Sequence, residues 1–175
     1  MMKYSTFILL MVLFAGCRKK QVGFEMLYRR DFTFPIGLDA FRSHNFEFKE
    51  IACDTSIFFQ ANSTTSSQIS RIEPQTMFIR SIFGGTDNAF NIIDRVEVWV
   101  SDPSRPSLSP QIAFFRDNVP LNTAGRLDLV PNNIDMRPFL IDGKRFNLRI
   151  NVRLRGITER SVDSEWNATF FAFLN

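Results

Sequence analysis

Residues Arg145 to Arg155 alternate between two kinds of side chain. Phe146, Leu148, Ile150, Val152 and Leu154 take one parity; Arg145, Asn147, Arg149, Asn151 and Arg153 take the other. Successive side chains of a strand point to opposite faces, so a period of two predicts a half-buried strand and excludes an amphipathic helix. The same period recurs along the chain. Phe24, Met26 and Tyr28 share one parity against Glu25 and Arg29, and Phe32 and Phe34 extend the run to a break at Pro35-Ile36-Gly37. Phe46 and Phe48 alternate with Glu47 and Lys49. Val96, Val98 and Val100 oppose Arg95, Glu97 and Trp99. Trp166, Ala168 and Phe170 oppose Phe171 and Phe173 in the closing run from Glu165 to Leu174. Met77 to Phe83 is apolar at both parities, which predicts a central strand. Gln111–Arg116 and Arg126–Val130 read as shorter strands.

Turn-forming residues separate these runs. Asn62 to Ser67 is a polar loop, Gly84 to Asn88 a turn, and Asp102 to Pro110 a loop with three prolines. Ile57-Phe58-Phe59 is a short apolar run, and Asn132 to Leu140 has room for one helical turn before Asp142-Gly143. No long segment carries a helical period. Eight or nine short strands with turns between them predict an all-β chain, an antiparallel β-sandwich, with residues 23–175 as a single domain.

The N-terminus has a different pattern. Lys3 is followed by the apolar run Phe7 to Phe14, then the small residues Ala15-Gly16, then Cys17. A positive end, an apolar stretch and small residues at a cut are the layout of a secretory signal, and the run is too short to cross a bilayer, which takes ~20 apolar residues. Phe14-Ala15-Gly16-Cys17 resembles the lipobox of bacterial lipoproteins, although Phe stands where that pattern prefers Leu. The resemblance implies a signal peptide over 1–16, a diacylglyceryl group on Cys17 and a lipidated basic tether over 17–22. Each buried methylene contributes about 0.8 kcal/mol, so two or three acyl chains hold a protein on a membrane. Arg18, Lys19 and Lys20 would lie against anionic headgroups. With Arg rather than Asp after the cysteine, and no acidic cluster following it, the resemblance implies the outer membrane and its periplasmic face.

Charge and cysteine usage narrow the function classes. Cleavage before Cys17 leaves 159 residues, enough for one core. The formal net charge is +3, but Lys3, Arg18, Lys19 and Lys20 carry four of the positive charges, which leaves the body from Gln21 near −1. A nucleic-acid partner is therefore not expected. With Cys17 lipidated, Cys53 has no internal disulfide partner; a small buried apolar residue and an intermolecular bridge are the two readings. The chain has 20 Phe against 2 Tyr and 2 Trp. Phe lacks a polar edge, so these rings are expected in a core rather than on a sugar-binding platform.

The order of Ile72-Glu73-Pro74, Phe90 to Ser101, Leu127-Asp128-Leu129 and Ile134 to Leu140, with the strand after it, resembles small single-domain lipoproteins of Bacteroidetes-type bacteria over roughly Pro35 to Phe173. The shared motifs are strand patterns. They imply a β-sandwich at the cell envelope and carry over no catalytic residue.

Chemistry-bearing residues are sparse. His44 is the only histidine, and one His with one free Cys cannot supply a typical zinc set. A nucleophilic Cys53–His44 pair would need the fold to bring them together. Glu47 with Glu50, Asp87 with Asp94 and Asp163 with Glu165 are the carboxylate pairs open to glycosidase chemistry. Asp87-Asn88 and Asp117-Asn118 offer loop oxygens to calcium, and turn formation accounts for both as well. No catalytic residue, metal or cofactor is assigned. Two surface features remain. Arg145, Arg149 and Arg153 form a row on one strand face, readable as an anionic or partner contact or as cations paired across the sheet. Trp99 lies on a polar face, readable as a binding anchor or as cover for a cross-strand neighbour. The expectation is a non-enzymatic, outer-membrane-anchored accessory or structural module that binds an envelope protein, with a tethered glycan- or ligand-binding module as the alternative.

Overall fold

Each alternating run becomes a strand in the computed structural model, which describes residues 22–83, 90–123 and 125–175. The expected signal peptide over 1–16, Cys17, Arg18, Lys19, Lys20 and the expected turn from Gly84 to Asn88 lie outside the described residues. The strands are β1 (Gly23–Phe34), β2 (His44–Ala52), β3 (Ile69–Ser81), β4 (Ile93–Ser101), β5 (Gln111–Arg116), β6 (Arg126–Pro131), β7 (Arg145–Leu154) and β8 (Val162–Leu174). Among the described residues, two short helices, α1 (Thr55–Ala61) and α2 (Arg137–Leu140), and a 3-10 turn at Ser66–Gln68 fill connections. Among the described residues no helix is long and apolar enough to cross a membrane.

The strands pair in the order β1-β8-β3-β6-β5-β4-β7-β2, antiparallel throughout. The sheet curls into an all-β sandwich, with β1-β8-β3-β6 packed on β5-β4-β7-β2. Along one side the two halves join through Phe114↔Pro131 and Phe115↔Val130. The other side holds the free edges of β1 and β2, and phenylalanine rings seal it. Phe32 meets Phe46 at 5.3 Å and Phe48 at 5.6 Å between centroids, and Phe34 meets Phe46 at 4.8 Å. Phe48 meets the buried Trp166 at 5.4 Å. Nearby, α1 buries none of its own residues but lays Phe58 against Tyr28 and Phe59 against Phe24. The excess of Phe thus closes an edge that hydrogen bonds leave open.

The predicted inward parities are buried: Phe24, Met26 and Tyr28; Val96, Val98 and Val100; Phe146 to Leu154; Trp166, Ala168 and Phe170. The strand expected from Met77 begins earlier, at Ile69. Its register shifts between Ile69 and Arg71 and again between Pro74 and Thr76. Each shift resets the pleat, so Ile69, Ile72, Met77 and Ile79 all face the core although their spacing breaks a plain alternation. The second shift also accommodates Pro74, which has no N–H to give a central ladder. The strand is central as expected, between β8 and β6.

Register defines two poles. Gly23 opens β1 beside Phe173 of β8, so the N-terminal pole carries the connections over 53–68, 102–110 and 132–144. The opposite, distal pole carries the described residues of four connections: 35–43, 82–83 with 90–92, 117–123 with 125, and 155–161.

Candidate interaction surfaces

The outer face of β7 presents Arg145, Asn147, Arg149, Asn151 and Arg153 as the alternation requires. Neighbouring strands engage most of them. Arg145 Nη1 lies 3.7 Å from Glu50 Oε2, and Arg153 Nε lies 3.9 Å from Asp94 Oδ2. Asn147 Oδ1 accepts the Glu50 N–H at 2.9 Å, where β2 bulges and Glu50 takes φ 54. Asn151 Nδ2 donates to Asn45 Oδ1 at 2.9 Å. Arg149 sits opposite Trp99 in the ladder with its guanidinium 5.5 Å from the indole centroid. Trp99 Nε1 donates to Glu97 Oε2 at 3.2 Å, and Glu97 Oε1 also accepts from Arg95 Nη2 at 2.6 Å. This arrangement matches the cross-strand reading for Arg145 and Arg153, and it makes Trp99 the cover of Arg149. Exposed pairs of this kind contribute about 0–1 kcal/mol each, so they set a solvated face rather than hold the fold. Between Glu47, Lys49, Trp99 and Arg149 remains a hollow of about 100 Å³.

The residues with chemical potential do not converge. Cys53 is 1% exposed. Its N–H donates to Lys144 O at 3.1 Å, its carbonyl accepts the Tyr28 hydroxyl at 2.6 Å and its Sγ lies 3.7 Å from Phe139 O. Burial, reinforced by the charges of Asp102 and Asp54, pushes its thiol up to about 12. A thiol so held is not a thiolate nucleophile at neutral pH. His44 opens β2 and Cys53 follows its last residue, so the length of the strand, about 30 Å, separates them. His44 Nε2 donates to Asp39 O at 2.7 Å. Glu47 pairs with Lys49 and Glu50 with Arg145. Asp163 accepts from Thr33, and Glu165 pairs with Arg80. Asp94 serves Arg153 and Arg155, and Asp117 serves Arg95; Asp87 lies outside the described residues. Among the described residues no three His, Cys, Asp or Glu side chains group to hold a metal ion. Asp102, unmarked in the sequence reading, is a buried carboxylate at the head of the proline-rich loop. Burial opposes its ionisation, but hydrogen bonds from Ser104 and Arg105 outweigh it and hold the carboxyl below its usual range.

The distal pole is where sequence reasoning saw least. Ten large apolar side chains are exposed among the described residues, and six stand there: Ile36, Phe41, Ile82, Phe83, Leu121 and Ile157. They come from all four distal connections. A cleft of about 620 Å³ opens at this pole, floored by Phe34, Phe90, Ile93 and Leu154 and rimmed by Leu121 and Ile157. Its walls are fixed by hydrogen bonds. Arg155 Nη1 donates to Asn91 O at 3.0 Å and Ile93 O at 2.5 Å, and Nη2 to Val119 O at 2.5 Å. Thr158 Oγ1 donates to Pro35 O at 2.8 Å and accepts the Leu38 N–H at 2.8 Å. Asp39 Oδ1 accepts the Phe41 N–H at 2.9 Å in a turn that leaves the Phe41 ring 97% exposed. One signal was readable: three of the six interrupt turn sequences, in Pro35-Ile36-Gly37, Pro120-Leu121-Asn122 and Gly156-Ile157-Thr158.

The chain matches no protein-family model and no curated protein. Among solved structures it is similar to a protein of Desmodium yellow mottle tymovirus, at 9% identity and TM-score 0.32 over 87% of this chain and 89% of that one. It is similar to the decameric BFDV capsid protein at 12% identity and TM-score 0.38 over 88% and 99%. A protein of turnip yellow mosaic virus aligns at 13% identity and TM-score 0.29 over 89% and 82%. Likenesses at these TM-scores carry no argument about what this chain does.

Proposed function

We propose that the chain is a lipid-anchored accessory module of the bacterial cell envelope, without catalytic activity. Cys17 carries its lipid in the outer membrane, and the β-sandwich faces the periplasm and binds an envelope protein. The observation that carries this reading is Phe14-Ala15-Gly16-Cys17 behind an apolar run, followed within a few residues by Gly23, the first residue of β1. A lipid at Cys17 would sit directly beneath the N-terminal pole, with Arg18, Lys19 and Lys20 at the headgroups. The separation of Cys53 from His44 and the engagement of the described carboxylates of the candidate pairs by arginines, Lys49 or Thr33 support a binding role over a hydrolytic one. The half-buried Trp99, whose indole N–H is taken by Glu97, supports protein binding over a sugar platform. The test is fractionation of cells that express the full chain. Wild type should sediment with outer membranes, and Cys17→Ser should appear soluble or retain its signal peptide. Wild type found wholly in the soluble fraction would refute the anchor.

A further inference from the structure

We infer that the distal pole docks a protein partner through apolar side chains, one of which seats in the cleft between Leu121 and Ile157. The inference rests on the anchoring reading above. Scattered exposed apolar residues need no explanation, but four separate connections that deliver them to one pole form a patch of the kind that marks an interaction site. The patch is held ready. Asp39, Thr158 and Arg155 fix the backbones that carry Phe41, Ile36, Ile157 and the cleft walls, so little ordering remains to oppose binding.

The occupant follows from three considerations. The first is reach. Six residue steps from Cys17 to Gly23 span at most about 20 Å in any conformation, whereas the twelve residues of β1 run about 40 Å to the distal pole. The anchored end cannot rise far enough for the distal pole to face its own bilayer. The second is extent. The cleft alone has the size of a small-molecule site, but Ile36, Phe41, Ile82 and Phe83 lie outside its lining. A small ligand would leave them in water, and a protein surface covers both. The third is charge. Arg155 is engaged by Asp94 and backbone carbonyls, Arg42 pairs with Asp39, and the other two charged residues of the cleft lining, Glu159 and Arg160, are of opposite sign. Recognition is therefore apolar and depends weakly on salt.

The test places a photoreactive benzoylphenylalanine at Leu121, at Ile157 or, as a control on the side of the sandwich, at the exposed Leu27 in the full chain in living cells. Illumination should join the same second polypeptide to positions 121 and 157 and not to 27. Adding Ile36→Asp and Phe41→Asp, both on open surface, should reduce that adduct about tenfold or more while circular dichroism of the variant stays unchanged. Adducts to lipid, to another copy of this chain, equally at Leu27, or none at the distal positions would overturn the inference. Membrane fractionation of the same cells reads the anchor separately. Membrane-bound protein without distal adducts refutes the docking surface alone; soluble protein that keeps them refutes the anchor and upholds the surface.

Discussion

At the scale of single residues, environment decides which side chains are chemically available. Cys53 is the clearest case. Its backbone is held by Lys144 and Tyr28 and its thiol is out of water. In the Cys17→Ser protein Cys53 is the sole thiol, and it should resist aromatic disulfide reagents at neutral pH until the domain unfolds. The raised folded value also sets a pH dependence. The unfolded thiol titrates near 9.0 and the folded one near about 12. Its contribution to stability is complete below about 9 and is lost as pH rises toward about 12. Tyr28, raised by the same burial, adds to the decline in the same direction. Thermal melts between pH 8 and 12 should fall for wild type and fall less steeply for Cys53→Ala. Equal slopes would remove Cys53 from the account. Asp102 has the opposite sign: its contribution is present above the ordinary carboxylate value and is lost as acid protonates the folded group.

At the scale of elements, the period of two made most strands legible. β5 has the bounds read from its residues, and β7 ends one residue short of the reading. The inward faces of β1, β4, β7 and β8 were readable because each strand keeps one register. β3 was half-hidden because two bulges interrupt its pleat, and a bulge is a property of strand pairing that one strand's sequence does not display. α1 was hidden for a related reason. Ile57-Phe58-Phe59 has apolar residues side by side, and only the tertiary ring contacts with Tyr28 and Phe24 turn that run into an edge cover. The candidate surface was legible in part: the arginine row was visible, but its partners Glu50 and Asp94 lie on other strands. The distal patch was not visible because nothing local says that four loops share a pole. The central place of β7 gives a direct check. Ile150 is fully buried and faces Phe46 and Val98 across its two ladders. Ile150→Ala should cost about 2–5 kcal/mol in denaturant unfolding. A loss below 1 kcal/mol would mean that the two sheets do not pack as described.

At the scale of the molecule, the sandwich has two unlike ends. The N-terminal pole begins next to the proposed lipid and carries two of the ten exposed large apolar side chains, Val22 and Ile57; the distal pole carries six. Leu27 and Val130 stand on the sides. Held at one pole by the proposed lipid and apolar at the other, the module would bridge a membrane and a partner, while Arg145 and Arg153 pair across the β7 face. The anchor is the claim on which this orientation depends. The most direct measurement is intact mass spectrometry of the protein extracted with detergent from outer membranes. The protein should begin at Cys17 and be heavier than its sequence from that residue by a diacylglyceryl group, with or without a further amide-linked acyl chain. A chain that begins elsewhere, or an unmodified Cys17, would contradict the anchor.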